Sequence, residues 1–277
     1  MFVNPNGSPE NYRCTCRDVA SSVYTAAMPY FDAHVTARSL TVSTLPTQLS
    51  GALFFDAAAA DQSREFRKLV PKNFWAHAES LKHIVSADDS RFPATKPALI
   101  TLDLSEDELM SRLRAPAAEW WPLMNSLRAH GIVLRLLLPP GSRAMVGVRK
   151  LAQGFPQTKI MIDPFIHGHG GGWQGHVRLA ESGNVWLTTL GMLPLSKLWT
   201  DTAAIAEAMY FLTGEVGAGK LLLATGYSLD ETARAKDSSA NPEKWLTEIE
   251  TLDEDQRTLI LSTNAAEVFG FSVPESE

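Results

Sequence analysis

The carboxylate, imidazole and hydroxyl side chains of this sequence gather at one kind of place, the downstream end of a short apolar run. Asp32, His34 and Thr36 close the first run, and Asp56 the second. His77 and Glu79 follow at the third and Asp103 at the fourth. Asp163 ends the sixth, ahead of His167-Gly168-His169. Thr188 and Thr189 end the seventh, and Tyr227 and Ser228 lie beyond the eighth, with Asp230 just after. An imidazole beside carboxylates is equipment for general acid–base catalysis. His34 is the candidate acid/base, with Asp32 or Asp163 to orient its ring. If the first run is extended, Asp32 and His34 share a face by the period of two. Thr36, Thr188 and Tyr227 are candidate hydrogen-bond donors to a substrate, and His77, Asp103, His167 and His169 would line the same pocket. Two histidines two residues apart on extended chain project to one side, which suits a tetrahedral metal shell. Gly170-Gly171-Gly172 after them would make a mobile loop. Each residue also has a structural use: an aspartate after a strand caps the next helix, and a buried histidine can be satisfied by backbone.

Those ends need strands to position them. Eight apolar runs of four to seven residues alternate with longer amphipathic stretches: Tyr30–Val35, Ala52–Phe55, Phe74–His77, Ala98–Leu102, Ile132–Leu138, Lys159–Ile162, Val185–Leu190 and Leu221–Ala224. Near-continuous hydrophobicity is the mark of parallel strands buried on both faces. The fifth run carries no ligand type except Arg135. Helices are predicted over Leu104–Arg114, where Ser105 precedes Asp107 and Glu108; over Ala118–His130, closed by Gly131; over Ser142–Gln153; over Asp201–Leu212, closed by Gly214; and over Asp253–Leu261 and Asn264–Phe269. Strand followed by helix, eight times, is the pattern of a (β/α)8 TIM barrel, whose site lies at the C-terminal ends of the strands. The expected organisation is one such domain over residues 29–277 with an N-terminal extension over 1–28.

Composition narrows the function classes. The chain has 277 residues and a net charge of -6, with 45% hydrophobic and 20% charged residues. That balance suits a globular domain with a full core. It argues against nucleic acid or an anionic membrane as partner, since both reward clustered cations. Arg64, Arg67 and Lys68 sit at helical spacing and read as a solvated face. Cys14 and Cys16 are the only cysteines, too close to close on one another easily. With no secretory leader pattern, they point to a reducing, cytoplasmic setting. Trp120, Trp121 and Met124 read as core at helical spacing, with a homo-oligomer contact as the alternative.

Local patterns in order along residues 29–272 resemble the amidohydrolase superfamily, in the branch that includes sugar lactonases, pyrone dicarboxylate lactonase and aromatic-acid decarboxylases. Tyr30-Phe31-Asp32-Ala33-His34-Val35 resembles the opening strand, usually Asp-x-His-x-His. Leu151 through Asp163, with Phe155-Pro156 inside it, resembles the run into the sixth strand. Gly183-Asn184-Val185-Trp186-Leu187-Thr188-Thr189 resembles the seventh strand, and Lys220 through Ser228 the eighth. Ile260 through Gly270, with Asn264-Ala265, resembles the closing helix. The resemblance implies a metal held by two first-strand histidines, a fifth-strand histidine or modified lysine, a sixth-strand histidine and an eighth-strand aspartate. Only His34 matches. Thr36, the fifth-strand leucines, Pro164 and Gly226 occupy the other positions, and a catalytic zinc needs at least three protein ligands.

Two functions follow as expectations. One is an amidohydrolase-like enzyme that works without a metal cofactor on a small cyclic oxygenated substrate, by lactone or ester hydrolysis or by related lyase, cyclase or isomerase chemistry. The other is an inactive barrel that binds a ligand or a partner protein. A zinc relocated to His34, His167 and His169, near Asp32, Asp163 or Asp230, is the remaining possibility for a metal.

Overall fold

The computed structural model describes residues 30–36, 49–55, 59–69, 74–81, 97–102, 104–138, 142–163, 173–189, 202–224, 227–228 and 252–272. It has β1 (Tyr30–Thr36), β2 (Leu49–Phe54), α1 (Ala59–Leu69), β3 (Phe74–Leu81), β4 (Leu99–Leu102), α2 (Glu106–Arg114), α3 (Ala117–His130) and β5 (Val133–Leu136). Then come α4 (Ser142–Gly154), β6 (Ile160–Ile162), α5 (Trp173–Leu179), β7 (Val185–Thr188) and α6 (Thr202–Val216). The chain continues with β8 (Leu221–Leu222), β9 (Tyr227–Ser228), α7 (Glu254–Thr258), one π turn (Leu259–Thr263) and α8 (Asn264–Phe269).

This is an α/β fold. Every strand pairing is parallel, and the sheet order is β8-β7-β6-β5-β4-β3-β2-β1-β9. Both ends of that order come from one short stretch of chain, Leu221 to Ser228.

Alternation along the strands sorts the core into two faces. One face carries Ala52, Leu81, Ile100, Leu134, Leu136, Ile160, Ile162 and Leu187, packed on helix residues such as Leu113, Trp120, Leu123 and Val148. The other, here the inner face, carries Leu53, Ala76, Ala78, Leu99, Val133, Met161, Trp186 and Leu222. Ala265 and Val268 of α8 join that inner cluster, and Phe74 stacks on Phe271 with centroids 4.5 Å apart. Burial on both faces explains why the runs read as continuous apolar strings.

The local signals act as chemistry requires. Ser105 and Glu108 form a reciprocal capping box at the start of α2. Gly131 ends α3 at φ 66, a left-handed position that costs glycine least. Three predictions differ. The third strand extends to Leu81, through His77. Gly214 lies inside α6, which runs to Val216. The last two helices are one path joined by a π turn. Trp120 and Met124 are core, while Trp121 is 58% exposed and tilts against Phe155. Arg64, Arg67 and Lys68 are exposed, as expected of a solvated face. His176 of α5 is fully buried. Residues 1–28, with Cys14 and Cys16, lie outside the described residues.

Candidate active site

The polar groups of the inner face cluster at the C-terminal ends of β4 to β7. Val133 and Met161 point inward, so Arg135 and Asp163, each two residues further on, point inward as well. Arg135 pairs in register with Thr101 on one side and Met161 on the other. Ile162 pairs with Leu187, which brings Asp163 beside Thr188.

The geometry follows from that register. Arg135 donates from Nε to Asp163 Oδ2 at 3.1 Å, and its Nη2 makes a close ion pair with the same oxygen. Thr188 Oγ1 donates to the other carboxylate oxygen, Oδ1, at 2.6 Å. The guanidinium carbon lies 4.9 Å from the Phe55 ring centroid, a cation–π distance. Thr101, Arg135, Asp163 and Thr188 are all at most 6% exposed. A charge is buried this deeply only when it is paired, and here each member holds another in place. Thr189, next in sequence, turns to the strand beyond: its Oγ1 donates to Ala224 O and accepts from Ala224 N, both at 2.9 Å.

Asp163 and Thr188 are thus the two sequence-predicted site residues that the structure brings together. Arg135 is the member that the sequence reading passed over. The sequence names it as the one ligand type of the fifth run and assigns it no role, yet a lone arginine inside an aliphatic, doubly buried strand must find an anion. That was the signal available.

His77 sits elsewhere. Ala76 and Ala78 take the inner face, so His77 faces the helices with Leu81. Its Nδ1 lies 3.5 Å from Ser63 Oγ of α1. Its Nε2 lies 3.3 Å from Glu79 Oε1, at ion-pair distance. Burial pushes the imidazole below its ordinary pKa, against the opposing pull of Glu79. A histidine in the outer layer is a packing residue of the α1–β3 contact, separate from the Arg135–Asp163 cluster.

Asp32, His34 and Thr36 lie on β1, and Tyr227 on β9, which pairs with the end of β1. The β1–β2 register slips between Asp32 and Val35, so the period of two is not continuous through His34. Asp56, Asp103, His167, His169 and Asp230 lie outside the described residues.

No three His, Cys, Asp or Glu side chains converge on a common point among the described residues. The inner-face carboxylate, Asp163, has both oxygens engaged, one of them by a guanidinium. A divalent cation there would meet a fixed positive charge. Among the described residues Asp163 is engaged as an ion-pair partner and hydrogen-bond acceptor.

The family model for amidohydrolases matches residues 102–271, more than half of the chain. The chain belongs to the amidohydrolase family. No curated protein matches it. Among solved structures, a probable 2-pyrone-4,6-dicarboxylic acid hydrolase from Acinetobacter baumannii, with citric acid bound, is 15% identical. It aligns over 88% of this chain and 100% of its own, with a TM-score of 0.62. An amidohydrolase 2 from Bifidobacterium longum subsp. infantis is 13% identical over 88% and 100%, with a TM-score of 0.57. A 4-oxalomesaconate hydratase from Rhodopseudomonas palustris is 16% identical over 87% and 95%, with a TM-score of 0.50. At these identities the likeness is one of fold. No helix among the described residues is long and apolar enough to cross a membrane.

Proposed function

We propose that this amidohydrolase-family chain is an enzyme acting, without the metal of the superfamily, on a small cyclic oxygenated acid. The reaction is hydrolysis of a lactone or ester, or a related acid–base lyase, cyclase or isomerase step. The observation that carries this reading is the Arg135–Asp163–Thr188 cluster, a buried charged group at the strand ends where such folds keep their chemistry. The named acids of the neighbouring structures support the substrate class. We further propose that β8 and β9 close the sheet into a barrel, since they pair with β7 and β1. Closure brings the strand of His34 to the same mouth as Asp163.

A lactone carbonyl is electrophilic without a Lewis acid. His34 takes a proton from water as its oxygen attacks the carbonyl carbon, and the Thr36 and Tyr227 hydroxyls steady the developing oxyanion. The ring C–O bond then breaks, and the proton passes from His34 to the leaving oxygen. Asp32 supplies the negative charge that holds an imidazolium beside the reacting centre.

The experiment is turnover of a panel of five- and six-membered lactones, with and without carboxylate substituents, after chelator treatment. His34→Ala is expected to lower turnover by roughly 10²–10⁴-fold with folding intact. A loss below about threefold removes His34 from the mechanism. Tight binding of these acids with no turnover makes the chain a binding protein.

A further inference from the structure

We infer that Arg135 is the specificity residue of this site, and that its free edge takes a carboxylate of the ligand. The inference rests on the reading above, that the inner face at the strand ends is the site. It then names what the site selects.

The guanidinium has two usable edges. Nε and Nη2 are committed to Asp163 Oδ2. Nη1 donates to no described residue, although the arginine is only 5% exposed. Nη1 is not among the fully buried orphaned atoms, so the small exposed part of the arginine leaves this donor open to a ligand. The orientation is fixed from two further sides. Phe55 lies across the guanidinium at 4.9 Å, and Thr188 holds the far oxygen of Asp163, at 2.6 Å. The donor is therefore built before any ligand arrives, so little is lost in ordering it. Asp163 neutralises the single charge of Arg135, so what Nη1 still offers a ligand is its N–H donors. A planar carboxylate facing Nη1 completes a three-centre chain of anion, guanidinium and anion. Arginine suits this work because its flat fork meets two carboxylates at once, which an ammonium does not.

The test is calorimetric binding of citrate, with its neutral trimethyl ester as control, to the full chain and to Arg135→Lys and Arg135→Gln. Wild type is expected to bind citrate and to discriminate against the ester. Arg135→Gln should weaken citrate by roughly 10–100-fold, the loss of one charge-assisted contact, and erase the discrimination. Arg135→Lys keeps the charge and the fold, and should lose about tenfold. Citrate binding unchanged in Arg135→Lys and in folded Arg135→Gln overturns the inference and leaves the site reading standing. Wild type that ignores citrate but turns over neutral lactones also overturns it. Wild type that binds neither and turns over nothing overturns both.

Discussion

Arg135 and Asp163 form a buried pair, and removing one member should be worse than removing both. In Arg135→Met the carboxylate stays in an apolar surround with only Thr188 to bond. In Asp163→Leu the guanidinium keeps only Phe55 and the Thr188 hydroxyl loses its acceptor. Breaking a buried pair on one side costs about 3–5 kcal/mol, whereas replacing both with apolar groups of similar volume is near neutral. For a chain of this length 3–5 kcal/mol corresponds to a fall in Tm of roughly 5–9 °C. The double variant Arg135→Met/Asp163→Leu should recover most of that fall, with a coupling energy above about 2 kcal/mol. Denaturant melts of the four proteins, read at constant m-value, give the cycle directly. Single variants that each cost under 1 kcal/mol, or a double variant that costs the sum, would refute the reasoning. The pair would then be no energetic unit, and its fixed geometry could not be what presents Nη1.

Other outcomes follow from the packing. Gly147 of α4 lies where a Cβ would stand 2.6 Å from Leu113 Cβ and 3.1 Å from Leu113 O, so Gly147→Ala must push α2 and α4 apart. The expected cost is about 1–3 kcal/mol. Gly214, inside α6, would meet nothing within 4 Å, so Gly214→Ala should stabilise by about 0.5–1 kcal/mol. Chemical melts check both, and the same sign for both contradicts the packing. His77 has a folded-state pKa held below its ordinary value by burial. Its neutral form therefore supports the fold above the unfolded value of about 6.5, and that support fades as pH falls below it. Wild type should lose more Tm between pH 7.5 and 5.5 than His77→Gln, and equal losses would remove His77 from the pH dependence.

Much of the scaffold was legible because its signals are local. A strand buried on both faces must be apolar throughout, so eight runs stood out, and the Ser105 and Gly131 ends were marked by capping chemistry. Two of the patterns that carried the family resemblance prove to be structural. Asn184 Nδ2 reaches the backbone oxygens of Ala152, Phe155 and Thr158 at 2.8–3.3 Å and so pins the turn between α4 and β6. Asn264 Nδ2 donates to Ala218 O and Leu221 O, both at 2.7 Å, which fastens the closing helix to the start of β8. The site was less legible. Which face a strand residue takes depends on register. His77 was expected in the pocket because it ends an apolar run, but the strand continues for four residues and turns it to the helices. Arg135 was passed over because the sequence places its partner 28 residues away, on another strand. Long-range pairing of that kind leaves no local trace, except that a charge stands in an aliphatic run.

The central claim is that the chemistry of this chain does not run through a metal. The measurement that tests it most directly is the metal content of protein purified without chelator or histidine tag, taken together with lactone turnover before and after chelation. The account predicts far less than one equivalent of zinc or manganese per chain, and turnover that chelation leaves unchanged. About one equivalent of bound metal, with activity lost on chelation and restored by adding the metal back, would contradict it.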